Sequence, residues 1–151
     1  MEQRTLILLK PDALQRGLAG QIIGRIEGRG LKIVGLKLVQ MDMKMAGEHY
    51  SAHADKPFFK GLAAFMTSSP LIAMAVEGKN AGEIMRNTMG TTDPEKAASG
   101  TIRGDLGVDI GRNLIHGSDS IEAANRELGI FFKAEEILSY KKDMDGWVTE
   151  S

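Results

Sequence analysis

The chain opens with a short polar lead and then an unbroken apolar run, Thr5-Leu6-Ile7-Leu8-Leu9, closed by Lys10-Pro11-Asp12. A run without alternation suits a strand buried on both faces, and the proline stops it. From Gly20 to Arg29 the period changes: Ile22, Ile23 and Ile26 share one side and Arg25, Glu27 and Arg29 fall among the polar positions, so a helix is expected, ended by Gly28 and Gly30. Leu31–Met41, rich in Val, Ile and Leu, predicts a second strand. Met43 to about His53 and Phe58–Met66 predict helices, the latter closed by Thr67-Ser68-Ser69-Pro70. Leu71–Val76 predicts a third strand, and Asn80 to about Thr88 a short helix.

Between Met89 and Gly111 the periodicity fades, and Gly90, Gly100, Gly104, Gly107, Gly111 and Pro94 punctuate the stretch. A loop of that length in a compact domain is usually functional or disordered. Asn113–His116 can form a short final strand. Ser118 or Asp119 is placed to cap a helix running to about Leu128, with Glu122 as its capping-box partner, a buried stripe of Ile121, Ala124 and Leu128, and Gly129 as its end. The order of elements suits an α+β domain with helices on one face of a sheet. A less regular extension follows, from about 134 to 151. No repeat or linker divides the chain, so a single domain over 1–151 is expected.

Composition narrows the function classes. The 151 residues carry 19 Lys and Arg against 20 Asp and Glu, a net charge of −1, so a general nucleic-acid coat is disfavoured. There is no cysteine, which removes disulfides, thiolate-held zinc and a thiol nucleophile. No apolar stretch reaches membrane length, and a cytoplasmic protein is expected. The sequence contains no P-loop, no H-E-x-x-H and no G-x-S-x-G. Gly28-Arg29-Gly30 is a helix stop rather than a dinucleotide fingerprint.

Some residues carry chemistry. His49 and His53 lie four apart and can in principle hold a metal, but a solvated helix face is the simpler reading. His116 precedes a glycine and a helix start, a place that lets a phosphate approach and favours anions. Arg103 and Thr101 sit between glycines in Gly100-Thr101-Ile102-Arg103-Gly104-Asp105; with Arg86 and Thr92 they are candidates for binding a di- or triphosphate. Lys10 leaves a buried strand at the rim of a core. Phe58 and Tyr50 are two of eight aromatic residues, and an exposed Phe near a cleft can stack on a base.

Four segments occur in order: Lys10-Pro11-Asp12, Lys56-Pro57-Phe58-Phe59, Gly100-Thr101-Ile102-Arg103-Gly104-Asp105 and Asn113-Leu114-Ile115-His116-Gly117-Ser118-Asp119. Together they resemble the nucleoside diphosphate kinase family from about Arg4 to Trp147. The resemblance implies a ferredoxin-like βαββαβ core with a four-stranded antiparallel sheet and helices packed on it. It implies transfer of the γ-phosphoryl group from a nucleoside triphosphate to a nucleoside diphosphate, by a ping-pong route through phospho-His116.

In that comparison Glu127 matches the carboxylate bonded to the other nitrogen of His116, and Tyr50 the tyrosine beside it. Lys10 and Asn113 match residues at the sugar hydroxyls, Lys10 also reaching the transferred phosphate. Phe58 matches the base-stacking ring, with Leu62 lining the slot and Ile110 on the base's other face. Arg86, Thr92 and Arg103 match the phosphate clamp, with Gly117 at the substrate. Ser118 and Asp119 match residues supporting the tyrosine hydroxyl and the metal shell. The implied cofactor is Mg²⁺ held through the nucleotide phosphates, with no direct protein ligand and Asp119 as the candidate for contact through water. The implied partners are nucleoside tri- and diphosphates and other copies of the chain, a hexamer being favoured over a tetramer; no membrane and no specific nucleic acid are expected. The chain departs from the pattern at Ala52, where an acidic residue is common, and at Ser99, where a proline before Gly100 is common and its loss is expected to loosen the loop. A catalytically weak nucleotide- or nucleic-acid-binding scaffold is the competing reading, and retention of His116 with Glu127 argues against it.

Overall fold

The computed structural model describes residues 2–150. The apolar run forms the inner strand β1 (Glu2–Leu9), followed by β2 (Lys32–Val39), β3 (Leu71–Lys79) and β4 (Ile115–Gly117). All pair antiparallel in the order β2-β3-β1-β4. β1 runs along β3 from Glu2 opposite Lys79 to Leu9 opposite Ile72, and places Leu8 opposite His116 on its other side. The expected ferredoxin-like α+β architecture is therefore present.

Among the described residues, seven α-helices cover this sheet: α1 (Pro11–Gln15), α2 (Ala19–Gly28), α3 (Met43–His49), α4 (Phe59–Thr67), α5 (Ala81–Met89), α6 (Ile102–Leu106) and α7 (Ile121–Phe131). They lie on both faces, not on one. Ile7, Leu9, Met74 and Val76 pack with Ile22 and Ile26 of α2 and with Met85 and Met89 of α5. Leu6, Leu8, Ala73 and Ala75 pack with Ala46 of α3, Met66 of α4, and Leu128 and Phe131 of α7. Successive strand residues point to opposite faces, so an apolar run without alternation supplies two cores at once. Pro11 both ends β1 and begins α1, where its missing N–H costs nothing.

The long 89–111 stretch is folded. It holds a 3₁₀ turn at Pro94–Lys96 and the one-turn α6, capped by the Thr101 hydroxyl, which accepts the Gly104 N–H at 3.0 Å. Gly104 is required by space, since a Cβ there would lie 2.0 Å from the Ala98 carbonyl oxygen. Beside Ser99, the Gly100 N–H donates to Asp105 Oδ1 at 2.9 Å, and Arg25 pairs with Asp105 at 2.8 Å. These bonds hold the Asp105 carboxyl below its ordinary range.

At α7 three expectations change. The cap is Ser120, whose hydroxyl accepts the Ala123 N–H at 3.0 Å, so Glu122 falls one position short of a capping box. Ile121 is exposed, and the buried stripe is Ala124, Glu127, Leu128 and Phe131. The helix runs through Gly129 because burial of Phe131 in the second core outweighs the glycine's weak helix preference. The predicted 43–53 helix is α3 plus a 3₁₀ turn at Ser51–His53. The extension crosses the open edge of β2, where Leu138 N–H donates to the Val34 carbonyl at 2.8 Å. Lys37 pairs there with Glu136 at 3.0 Å.

Candidate active site

β4 is short because the chain turns sharply just before it. Leu114 has φ +75°, and the Ile115 N–H donates to the Asn113 carbonyl across it at 2.9 Å, a γ-turn of the rare positive-φ kind. Arg103, reaching over from α6, is buried and donates to three backbone carbonyls: Asn113 at 3.2 Å, Gly90 at 3.0 Å and Ile115 at 2.6 Å. A guanidinium has five N–H donors, so two remain for a ligand.

Lys10 caps α1 and faces the same turn. Its Nζ donates to Asn113 Oδ1 at 2.9 Å, and Asn113 Nδ2 donates to the Thr92 carbonyl at 3.0 Å. Burial, helped by the Arg103 charge and opposed by Asp12, brings the Lys10 ammonium down to about 8. Burial also lowers Arg103.

His116 presents its ring between this turn and α7. Its Nε2 lies 2.9 Å from Glu127 Oε1, and the Ser118 hydroxyl donates to the same oxygen at 2.8 Å. Burial raises the Glu127 carboxyl, but its bond to His116, that ring's charge and the Ser118 bond together hold it below the ordinary value. An ionised carboxylate only accepts, which assigns a proton to Nε2; in the neutral imidazole Nδ1 then keeps the free lone pair. Ser118, itself held by the Leu6 backbone, thus supports the Glu127 carboxylate rather than the tyrosine hydroxyl the resemblance suggested.

His49 is not on a solvated face. It is 4% exposed, and its ring meets those of Tyr50, His116 and Phe131 edge-on, with centroids 4.5, 4.8 and 5.4 Å away. Neither ring nitrogen has a hydrogen-bond partner. Burial, reinforced by His116, pulls its pKa to about 3, so it is neutral. Its sequence signal was its place one turn after buried Ala46 on α3. His53 is exposed and lies 5.5 Å from the Phe58 ring. Burial, and then the Glu127 charge, raises the Tyr50 phenol, which stays protonated.

A cleft of about 660 Å³ opens against these groups. Lys10, Arg86, Thr92, Arg103, Asn113 and His116 all line it, as do Gly117, Ser118 and Asp119. Arg86 donates to the Asp119 carbonyl at 2.9 Å. Behind Gly117 lies the thioether end of Met89, whose Cε would stand 2.9 Å from an added Cβ. Glu127 stands behind His116. Phe58, Leu62, Ile110 and Tyr50 are not part of the cleft wall: Phe58 and Ile110 are 54% and 57% exposed. The cleft thus gathers the expected phosphate groups, while of the expected base-contacting groups Phe58 and Ile110 are exposed outside it and Leu62 is half-buried against the second core.

Asp119 is the one acidic residue on the cleft wall, too few for an all-protein Mg²⁺ cage. It suits a metal carried on phosphates. Among the described residues, His49, His116 and Glu127 bring potential ligand atoms within 4.8 Å of one another, a nitrogen-rich set unlike the oxygen ligands Mg²⁺ prefers.

The chain's relatives point the same way. The family model for nucleoside diphosphate kinase matches residues 3–137. A nucleoside diphosphate kinase of Desulforamulus reducens is 55% identical, covering 98% of this chain and 99% of its own. That of Archaeoglobus fulgidus is 49% identical, over 98% of each. Among solved structures, a halophilic nucleoside diphosphate kinase from Halobacterium salinarum in complex with CDP superposes with a TM-score of 0.95 at 48% identity, over 99% of both chains. A nucleoside diphosphate kinase family protein from Babesia bovis gives 0.95 at 42% identity, over 97% of this chain and 99% of the other.

Proposed function

Since the chain belongs to the nucleoside diphosphate kinase family, and is therefore a phosphotransferase, we propose that it works by a ping-pong route through His116. The Nδ1 lone pair attacks the γ-phosphorus of a bound nucleoside triphosphate. The bond to the β–γ bridging oxygen breaks, and the nucleoside diphosphate leaves with that electron pair. A second nucleoside diphosphate then attacks the phosphohistidine with a terminal β-phosphate oxygen, and the N–P pair returns to Nδ1. One cleft serves both nucleotides in turn.

Phosphoryl transfer depends on positioning and charge neutralisation more than on acid or base help. Lys10, Arg86 and Arg103 supply positive charge along the wall, while Thr92 and Asn113 supply polar contacts. Glu127 keeps the Nε2 proton in place and offsets the charge the ring acquires on phosphorylation. Tyr50 packs beside His49, which buttresses the nucleophile. Asp119 would hold, through water, a Mg²⁺ carried on the nucleotide phosphates, and that ion would supply neutralisation of phosphate charge. Phe58, Leu62 and Ile110, beside the cleft, are assigned to the base by the family resemblance alone. The halophilic relative was solved with CDP, which supports a nucleoside diphosphate as ligand here.

The reading includes a single domain, a cytoplasmic location and a homo-hexamer. No described helix is long and apolar enough to cross a membrane. Exposed Leu36 and Leu38 on edge strand β2, and Trp147 at 86% exposure, offer apolar surface for partner copies.

The observation that carries the mechanism is the 2.9 Å contact of His116 Nε2 with Glu127, which leaves Nδ1 unpaired at a cation-lined cleft. Incubation with Mg²⁺ and γ-labelled ATP, followed by removal of nucleotide, is expected to leave acid-labile, base-stable label that moves to added GDP. His116→Ala is expected to take no label while keeping its fold by circular dichroism. Turnover in that variant at the wild-type rate removes His116 as nucleophile.

A further inference from the structure

We propose that Asp12 is a positioning residue for phosphoryl transfer, its carboxylate holding Leu114 in the left-handed turn that places Asn113 and His116. The proposal rests on the phosphotransfer reading above.

Asp12 sits in the first turn of α1, where an acidic residue ordinarily faces water. Here it is 7% exposed. Its Oδ2 accepts the Leu114 N–H at 3.0 Å, across 102 residues of sequence, and its Oδ1 is buried with no partner. Leu114 is fully buried, and only two non-glycine residues among those described have positive φ. The other, Asn80, is a residue type that tolerates that region; leucine is not. Two unfavourable features therefore meet at one hydrogen bond: a strained leucine and a half-satisfied carboxylate. Such features persist where the surroundings enforce them, and they cluster at functional sites.

The other bonds of the turn do not replace this one. Lys10 N–H donates to the Leu114 carbonyl at 2.9 Å, and Arg103 takes the carbonyls of Asn113 and Ile115. All of these engage acceptors. The Leu114 N–H donates to Asp12, and without that carboxylate the donor is buried and unpaired. Relaxing Leu114 to negative φ requires its flanking peptides to rotate. Asn113, which holds Lys10 Nζ, lies directly on one side, and His116 lies two residues beyond on the other.

The test compares wild type, Asp12→Asn and Asp12→Ala by the single-turnover rate of labelling from saturating γ-labelled ATP with Mg²⁺, per folded molecule and well below each unfolding midpoint. Asparagine keeps an acceptor oxygen and is expected to label within about threefold of wild type. Alanine is expected to slow labelling at least ~tenfold, as displacement of a reacting group by a fraction of an ångström does. It is also expected to speed hydrogen exchange at the Leu114 amide. Asp12→Leu, close in volume with no acceptor, is expected to match alanine and serves where the alanine variant does not fold. A purely structural role lowers the unfolding midpoint and leaves the rate per folded molecule unchanged, which overturns the proposal. So does an asparagine variant as slow as alanine, since the charge beside Lys10 would then be what matters. If wild type takes no label, the phosphotransfer reading fails on its own. Leu114 exchange, which needs no turnover, then still shows whether Asp12 holds the turn: faster exchange in alanine alone supports it, and equal exchange in all variants overturns it.

Discussion

On the proposed function a nucleotide meets two regions built in opposite ways: the phosphate end, which is the cleft, and the base end, which is the surface beside it. At the phosphate end the buried polar groups are tied to one another: Arg103 to three carbonyls, Lys10 to Asn113, Asn113 to the Thr92 carbonyl, and His116 to Glu127 and through it to Ser118. At the base end Phe58 and Ile110 stand more than half exposed, on the N-cap of α4 and on the 107–113 loop. The two regions touch through Arg112, whose guanidinium lies 4.1 Å from the Phe65 ring centroid. The contrast is a division of labour. Transfer of a phosphoryl group tolerates little misplacement, so its groups are over-determined. A stacking surface works for any base, so it needs no hydrogen-bond network. On the proposed function, broad base specificity follows from that contrast.

Arg103→Ala attacks the over-determined end directly and has the largest expected effect. Three carbonyls lose their donor, and the turn before His116 loses its brace. A stability loss of about 3 kcal/mol or more is expected from the unsatisfied acceptors, read as a lower urea midpoint, with labelling of His116 reduced at least a hundredfold. An unchanged midpoint means that the carbonyls find other partners and that the two ends are less different than the geometry indicates.

His49 gives the same end an acid sensitivity. In the unfolded chain a histidine takes up its proton near pH 6.5, whereas folded His49 does so only at about 3. Between those values the unfolded state binds more protons, so stability falls with falling pH, by up to about 1.4 kcal/mol per pH unit from this group. Glu127, lowered in the folded state, contributes stability that is present above its unfolded value and is lost as pH falls through its folded one, a window below 4.5. His49→Phe, which keeps a ring among Tyr50, His116 and Phe131, is expected to flatten the urea midpoint between pH 6 and 4.5. Parallel wild-type and variant curves would show that His49 does not stay neutral.

Lys10 sets the alkaline side. It is charged below about 8 in the free enzyme and neutral above, so kcat/KM is expected to fall by up to about tenfold per unit as pH rises past that value. A profile flat to pH 10 would place Lys10 outside phosphate recognition.

The frame was legible in the chain because apolar runs and helix-period stripes report burial directly. The Thr5–Leu9 run even signalled two cores, though the order of elements suggested helices on one face. His116, Glu127 and the clamp residues were reached through motif resemblance; their spacing alone did not separate them from surface residues. What stayed hidden depends on contacts between distant residues. His49 is buried because α3 packs against α7, with Arg126 donating to the carbonyls of Glu48 and His49 at 3.0 and 3.3 Å. Asp12 is buried because β4 returns beside the end of β1. Ser118 reads as a helix cap until Glu127, nine residues on, is seen to need its hydroxyl.

The smallest expected effect is at the base end. Phe58 keeps half its surface in water and packs loosely on His53, so only part of its ring is free to contribute. Removing one stacking ring costs about 1 kcal/mol at the low end of base–aromatic contacts, roughly a fivefold loss in affinity. Phe58→Ala is therefore expected to raise the dissociation constants of ADP, GDP and CDP by similar factors in equilibrium titration, with purines losing somewhat more because their rings overlap more. Labelling of His116 at saturating ATP is expected to change less than affinity, because no bond of the 113–116 turn passes through α4. A loss confined to one base would mean that this end reads base edges after all. An equal drop in transfer rate would mean that the two regions are mechanically joined, with the Arg112–Phe65 contact as the joint to cut next.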